Sequence, residues 1–345
     1  MAPQSRPTLA SLAAQLGVSI QTVSNVINNP EAVRLATRER VEAAIKASGY
    51  RPSIAGRALR TRRSWGIGMR LHPVVDGING EVLDHFFHAV TESAQAKGYR
   101  INLFIAADAV AEVTALADMQ AAGAIDAALL IDTGLGDPRP KLLTEVGLPF
   151  ATFGRPWGET FTKHSWVDVD GKAGSYQATR YLQSIGHERV GYIGWPAESA
   201  AGEDRRAGWL AAQAELAGEL LQAHTGNSVR QGSLAALELK KQGATAVVCA
   251  SDSLALGALS VFAEGAVLGD ELPVIGFDNT PVARAIGLSS VSQPVEQAAA
   301  LVVDQIVGQV NAPLDFSAQG VLLSPSLELR KWESMVASQP SRKEI

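Results

Sequence analysis

Gln21, Ser24 and Asn25, with Ile20 ahead of them, fall on the outward side of a short stretch whose Val23, Val26 and Ile27 point inward. These outward side chains suit the edges of base pairs. A primary amide pairs in bidentate fashion with adenine, and an aliphatic group meets the thymine methyl in the major groove of DNA. Bond-making chemistry is poorly represented. Gly66-Ile-Gly68-Met-Arg-Leu71 has two glycines of a dinucleotide fingerprint and lacks the third. Gly171-Lys172 is followed by Ala, and Trp166 stands where a phosphate loop needs glycine. No His-Glu-x-x-His and no Gly-x-Ser-x-Gly occur. His85 and His88 lie one helical turn apart with no third metal ligand evident. The sequence therefore predicts no enzyme, no metal and no cofactor.

The outward residues need a scaffold, and the first fifty residues provide one. Leu9, Leu12, Ala13 and Leu16 share one face of a first helix, and Gly17 ends it with a left-handed residue. Ser19 caps the second helix. A third helix is expected with Thr37 as its cap, Val41, Ala44 and Ile45 as its apolar stripe and Gly49 as its stop. Three helices with a tight turn between the first two form a helix-turn-helix unit. Charge agrees. Residues 1–63 hold ten Arg or Lys against three Glu, a balance of +7, while the whole chain sums to −5, so the remainder carries −12. A basic head attracts phosphates and releases their counterions; an acidic body stays off the polyanion. The plain alternative is a solvated charged face.

The linker 51–64 starts with Arg51-Pro52, and the proline stops the third helix. Ser53 can cap a short helix from Ile54 to Leu59, too short to persist alone in water. Gly56 weakens it by about 1 kcal/mol relative to Ala. The alternative is a flexible basic tether. From Trp65 the pattern changes to apolar runs of strand length between helical stretches: 65–71, 101–106, 127–131, 148–153, 189–195, 246–250 and 273–277. Alternating strands and helices imply parallel sheets covered on both faces. The spacing predicts two successive α/β sets dividing near Trp166–Asp170, with a ligand cleft at the strand ends. A sugar in such a cleft needs paired donors and acceptors, which Arg and Asp supply, and a flat apolar surface, which Trp supplies. Trp157, Trp166 and Trp195 are candidate platforms, with packing between lobes as the alternative. The single cysteine, Cys249, lies in the apolar run Ala246–Ala250 and reads as a small buried side chain.

Ordered motifs run through nearly the whole chain. They are Gly17-Val-Ser-Ile-Gln-Thr-Val-Ser-Asn-Val-Ile-Asn28, Thr37-Arg-Glu-Arg-Val-Glu-Ala-Ala-Ile45, Gly49-Tyr-Arg-Pro-Ser53, Asp168-Val-Asp170, Gly186-His-Glu-Arg-Val-Gly-Tyr-Ile-Gly194, Ser251-Asp-Ser-Leu-Ala-Leu-Gly-Ala258 and Val274-Ile-Gly-Phe-Asp278. Together they resemble the LacI/GalR family of bacterial transcription regulators. The resemblance implies an all-α helix-turn-helix head and an α/β two-lobed, periplasmic-binding-protein-like body. It implies DNA contacts at Ile20, Gln21, Thr22, Ser24, Asn25 and Arg34, and at Ser53, Gly56, Arg57 and Leu59 of a hinge helix whose leucine wedges into the minor groove. It places Arg205, before Ala207-Gly208-Trp209, as the sugar-gripping arginine and Asp278 as the cleft aspartate. The alternative for Arg205 is an ion pair with Glu203 or Asp204. Ser251 stands where many relatives have Asn, and Asp252 is expected to cap the following helix. Arg155, Asp170 and Trp195 are further effector candidates, and His187 is expected to be structural.

The expected organisation is a DNA-binding domain at 1–50, a hinge at 51–64, an effector-binding and dimerisation body at 65–330 and a tail at 331–345 that lacks a sustained heptad. The expected partners are a pseudo-palindromic double-stranded operator, a small-molecule effector of the sugar or disaccharide class, and a second copy of the chain. The chain has no apolar run of eighteen residues and no apolar leader near its start, so a cytoplasmic protein with no membrane partner is expected. The competing function is a cytosolic sugar-binding or sugar-modifying protein with an incidental basic head. Salt-dependent binding to palindromic DNA separates the two.

Overall fold

The computed structural model describes residues 7–50, 63–71, 80–158, 163–214, 219–265, 267 and 271–331. The linker candidates Ser53, Gly56, Arg57 and Leu59 lie outside the described residues, as does all of the tail after Lys331. The chain forms two compact units, Met1–Arg63 and Ser64–Ile345.

The first unit holds α1 (Leu9–Leu16), α2 (Ile20–Asn28) and α3 (Leu35–Ser48). Thr8 and Ser11 cap α1 reciprocally, each accepting the other's backbone N–H. Gly17 ends it at φ 63° and Gly49 ends α3 at φ 64°, conformations that cost a side chain but not glycine. Leu12, Ala13, Val23, Val26, Val41 and Tyr50 form a buried core between the three helices. One expectation fails here. Thr37 is not the cap of α3, which starts two residues earlier, with Arg34 at the cap position and no side-chain hydrogen bond. The Arg34 carbonyl accepts from the Thr37 and Arg38 backbone N–H groups, which places Thr37 inside the first turn.

The second unit is built on two six-stranded sheets. The first carries β1 (Gly66–Arg70), β2 (Arg100–Phe104), β3 (Ala127–Leu130), β4 (Phe150–Phe153), β5 (Ser165–Val169) and β11 (Gly320–Leu323), in the order β11-β5-β4-β3-β1-β2. The second carries β6 (Val190–Gly194), β7 (Gln222–His224), β8 (Ala246–Cys249), β9 (Val274–Phe277), β10 (Ser289–Ser292) and β12 (Ser326–Glu328), in the order β12-β10-β9-β8-β6-β7. All pairings are parallel except β10 with β12.

The helices covering the sheets are α4 (Gly80–Ala96), α5 (Ala109–Ala121), α6 (Arg139–Val146), α7 (Gly171–Ser184), α8 (Ala200–Gln213), α9 (Val229–Lys241), α10 (Asp252–Phe262), α11 (Pro281–Ala285) and α12 (Val295–Asn311). The two lobes are not successive in sequence, which corrects the expected single division near Trp166–Asp170. The chain passes between them three times: after β5, after β10 and between β11 and β12. Helix α12 returns to the first lobe and packs Val295, Ala299, Val302 and Ile306 into its core with Phe86 and Val90.

Sequence patterning missed a buried ionic cluster in the first lobe. Glu112 (1% exposed) of α5 accepts from Arg70 at 3.2 Å and from Arg139 at 2.9 Å. Arg139 also donates to Asp137 and to the carbonyls of Ile131 and Asp132. These bonds clamp the carboxyl ends of β1 and β3, the ends that face the cleft.

Candidate functional site

In the head, Ser19 accepts from the Thr22 backbone N–H at 3.0 Å and starts α2. Ile20 is 52% exposed, Gln21 is exposed, and Ser24 and Asn25 are partly exposed. The Gln21 amide donates to Asn25 Oδ1 at 2.8 Å, so the two amides one turn apart present a joined polar edge. Thr22 bonds the Ser19 hydroxyl, which assigns it to the cap as well as to this face. Arg34 is exposed at the start of α3. The arrangement presents amides and an aliphatic group on a rigid, locally capped helix.

In the body, Arg205 of α8 is 8% exposed and lies 3.6 Å from Asp278 Oδ1, just after β9. Its guanidinium donates to the Ala250 carbonyl and sits 3.7 Å from the Phe277 ring and 4.7 Å from the Trp195 ring. Glu203 pairs with Arg206 and Asp204 with Arg155, so the alternative ion pair of Arg205 within α8 does not form. Gln293, in the second crossover, donates to Asp278 at 2.7 Å. Asp278 and Asn279 both have positive φ, 111° and 52°. Such strain persists only where surroundings over-determine it. Here Ser290 and Ser292 of β10, Arg284 and Arg330 all bond Asn279.

Burial pushes the Asp278 carboxyl up to about 7; Arg205 pulls it down, Asp252 pushes it further up and the Gln293 hydrogen bond pulls it down. Between about 4 and 7 the native state therefore holds a proton that the unfolded chain has already lost. Asp278 contributes stability below the ordinary carboxylate range, and this contribution is lost as pH rises through about 7. Denaturant midpoints at pH 5 and 7.5 are expected to differ less in Asp278→Asn than in the parent. An unchanged difference would remove Asp278 as a source of the slope.

Asp278, Arg205 and Gln293 stand beside an interlobe cavity lined by Trp157, Asp168, Val169, Gly171, Ala201, Asp204, Arg205, Phe277 and Gln293. Its volume is about 30 Å³, room for one or two waters. Arg155 reaches this cavity's edge through its partners Asp168 and Asp204. A wider depression of about 410 Å³ lies on the first lobe beside Thr133, Lys141, Glu145 and Lys163. Trp157 borders both, but the wider one has no guanidinium in its described lining, so the cleft between lobes is the stronger ligand candidate.

Other candidates take different places. Ser251 is fully buried; it caps α10 and donates to Asn227, so it does not reach the cleft surface. Asp252 is not that cap: it accepts from Ser290 Oγ and the Thr280 backbone N–H. Asp170 caps α7 by accepting from Ala173. Trp195 packs against the second lobe's core with one face to Arg205, and Trp166 lies against Gly320. His187 bonds the Thr245 hydroxyl at a helix-to-strand corner. His85 pairs with Glu296 and His88 with Asp84; among the described residues no group of three or more His, Cys, Asp or Glu is placed to hold a metal. No described helix is long and apolar enough to cross a membrane. Sequence reasoning missed Gln293 and Phe277, and named Asp204 only as an alternative partner of Arg205. Only Phe277 carried a signal, as the last apolar residue before Asp278.

Residues 8–53 match the model for bacterial regulatory proteins of the lacI family, and residues 179–331 match a periplasmic binding protein-like domain. The transcriptional regulator CelR of Thermobifida fusca is 35% identical over 327 residues, covering 90% of this chain and 94% of the relative. The chain belongs to the LacI family. A solved CelR–cellobiose complex superposes with a TM-score of 0.67 at 29% identity, covering 95% of this chain and all of that one. The lac repressor dimer bound to operator shares the fold, with a TM-score of 0.78 at 22% identity over 95% of this chain and 99% of that one. The chain is thus a LacI-family transcriptional regulator, and this family consists of regulators rather than enzymes.

Proposed function

We propose that this regulator is a repressor that binds a pseudo-palindromic operator as a homodimer and changes its operator affinity when a neutral sugar occupies the cleft. The carrying observation is the buried pairing of Arg205 with Asp278 beside Gln293 at the cleft wall. A guanidinium, a carboxylate and an amide side by side suit vicinal hydroxyls. Charge favours a neutral ligand: Arg155 is already paired with Asp168 and Asp204, and Arg205 with Asp278, so a phosphate would find no free cation in the described lining. A transcriptional regulator CelR was solved as a cellobiose complex, which makes a disaccharide the first candidate. Exposed Leu103 and Ile105 at the β2 edge of the first sheet, and Leu234 and Leu237 on α9 near the corresponding edge of the second, support self-association. Access to the chromosome makes the cytoplasm the working compartment.

The test is titration of a promoter duplex across a salt series, with and without cellobiose and a panel of other mono- and disaccharides. The reading predicts a steep salt slope and a shift of operator affinity by one of the sugars. No preference for promoter over random duplex under any condition would overturn it. Gln21→Ala is expected to weaken operator binding by about 1–3 kcal/mol and to relax preference at one base pair. Arg34→Ala should weaken all duplexes alike and lower the salt slope. Equal losses on every duplex in Gln21→Ala would remove it as a base reader.

A further inference from the structure

Arg155 was read from sequence as an effector contact, yet its guanidinium is already committed. It follows β4 of the first lobe and donates through Nε to Asp168 Oδ2 at 2.6 Å and through Nη2 to the Val169 carbonyl at 3.1 Å. Its backbone N–H also donates to Asp168, at 3.1 Å. These three bonds hold it to its own lobe. Nη2 then crosses to the second lobe and meets Asp204 Oδ2 of α8 at 3.2 Å. Asp204 is itself fixed, since the same oxygen accepts from the backbone N–H of Lys172 in the first turn of α7. The Trp157 ring covers the guanidinium at 4.5 Å.

Both carboxylate partners of Arg155, Asp168 and Asp204, line the cavity of about 30 Å³ already described, whereas sites for drug-sized ligands usually reach about 300 Å³ or more. A sugar can enter only if the lobes part. Parting them must break the bond to Asp204, because the bonds to Asp168 and Val169 stay within one lobe. Both side chains are mostly shielded, at 21% and 13% exposed, so the pair is weakly screened by salt. Burial pushes the Asp204 carboxyl up while Arg155 pulls it down.

We propose that Arg155 is a positioning residue, an interlobe brace anchored on Asp168 and latched to Asp204, which sets how readily the cleft opens. The proposal rests on the cleft being the effector site, but the brace itself can be tested without any effector. Spin labels at Lys141→Cys in α6 and Glu188→Cys before β6 report the distance between lobes in the full-length dimer. The native Cys249 is fully buried and takes no label. Asp204→Asn and Arg155→Met are each expected to broaden and shift the distance distribution in the absence of sugar. The double variant should go no further than either single, because the only interlobe bond of Arg155 among the described residues is the one both disrupt; the further bonds lost in Arg155→Met lie within the first lobe.

Cellobiose is the effector probe. Its association rate should rise several-fold in Asp204→Asn, since less must be broken to admit it. Distances matching the parent in both single variants would overturn the brace, as would additive shifts in the double variant. A loss of cellobiose affinity confined to Arg155→Met, with distances unchanged, would also overturn it by making Arg155 a contact. Shifted distances with no binding of any sugar, to parent or variant, would leave the brace standing and sink the effector reading instead.

Discussion

Arg205→Ala is expected to abolish the response of operator binding to sugar while leaving sugar-free operator affinity near the parent value. The guanidinium satisfies three neighbours at once: the Asp278 carboxylate, the Ala250 carbonyl and the face of Phe277. Hydrogen bonds to charged groups are worth about 1.5–3 kcal/mol each. On the proposed reading Arg205 also grips the sugar through paired donors, and losing such a grip removes about a hundredfold in affinity, beyond the reach of ordinary effector concentrations. The fold should survive the change. Breaking a buried ion pair leaves the partner charge exposed to the full desolvation cost, but Asp278 already sits near neutrality, at about 7, and loses its main stabilising charge in the variant. It then takes up a proton and becomes neutral. The head is a separate unit with its own core, so its operator contacts persist. Operator titration with and without sugar, beside a thermal melt, reads all three consequences. Arg205→Lys should retain only part of the response, since an ammonium cannot pair bidentately or lie flat on Phe277. A full response in Arg205→Ala would remove the residue from the effector site.

What could be read from sequence was what is decided locally. The head was legible because its helices are short, its period is regular and its caps lie within four residues of what they cap: Ser19 for α2, Gly17 and Gly49 for the left-handed ends. Strands such as Ala127–Leu130 and Ala246–Cys249 were legible because they are buried on both faces and read as continuous apolar runs. Strand β10 was invisible for the opposite reason. Its sequence is Ser-Ser-Val-Ser, and the buried Ser290 is tolerated only because it bonds Asp252 and Asn279, residues distant in sequence. With β10 unseen, the second crossover and Gln293 beyond it were unseen too, and so was the return of α12 to the first lobe. Ser251 and Asp252 show the same limit. Either could cap α10 by type; Thr280 and Ser290 decide by claiming the aspartate. The pairing of Arg155 with Asp204 joins residues 49 positions apart through two different lobes, and no local pattern announces it.

Gly208→Ala is expected to destabilise the protein and weaken sugar binding, against the ordinary sign for a glycine inside a helix. Helix propensity alone favours alanine there by about 1 kcal/mol. Packing decides otherwise. A Cβ at position 208 would lie 2.1 Å from the Lys172 carbonyl oxygen and 2.9 Å from the Tyr176 nitrogen. Both are backbone atoms of α7 and cannot swing aside, so α8 must move off α7. Overpacking of this kind costs about 1–3 kcal/mol, and occasionally more. The movement cannot stay local. Trp209, the next residue, is fully buried, stacked on Tyr192 and bonded to the Val190 carbonyl. Arg205 lies three residues earlier on the same helical face, so a displaced α8 carries its guanidinium away from Asp278. A loss of roughly tenfold in sugar affinity corresponds to only about 1.4 kcal/mol. Gly308→Ala in α12 supplies the control. Its Cβ would meet only the Phe316 ring at 3.3 Å, a side chain that can yield, and stability should hold or rise. Denaturant midpoints and sugar affinities of the two variants decide the matter. Equal stabilities would mean that α7 and α8 can separate freely, and that the glycine is not what holds Arg205 in place.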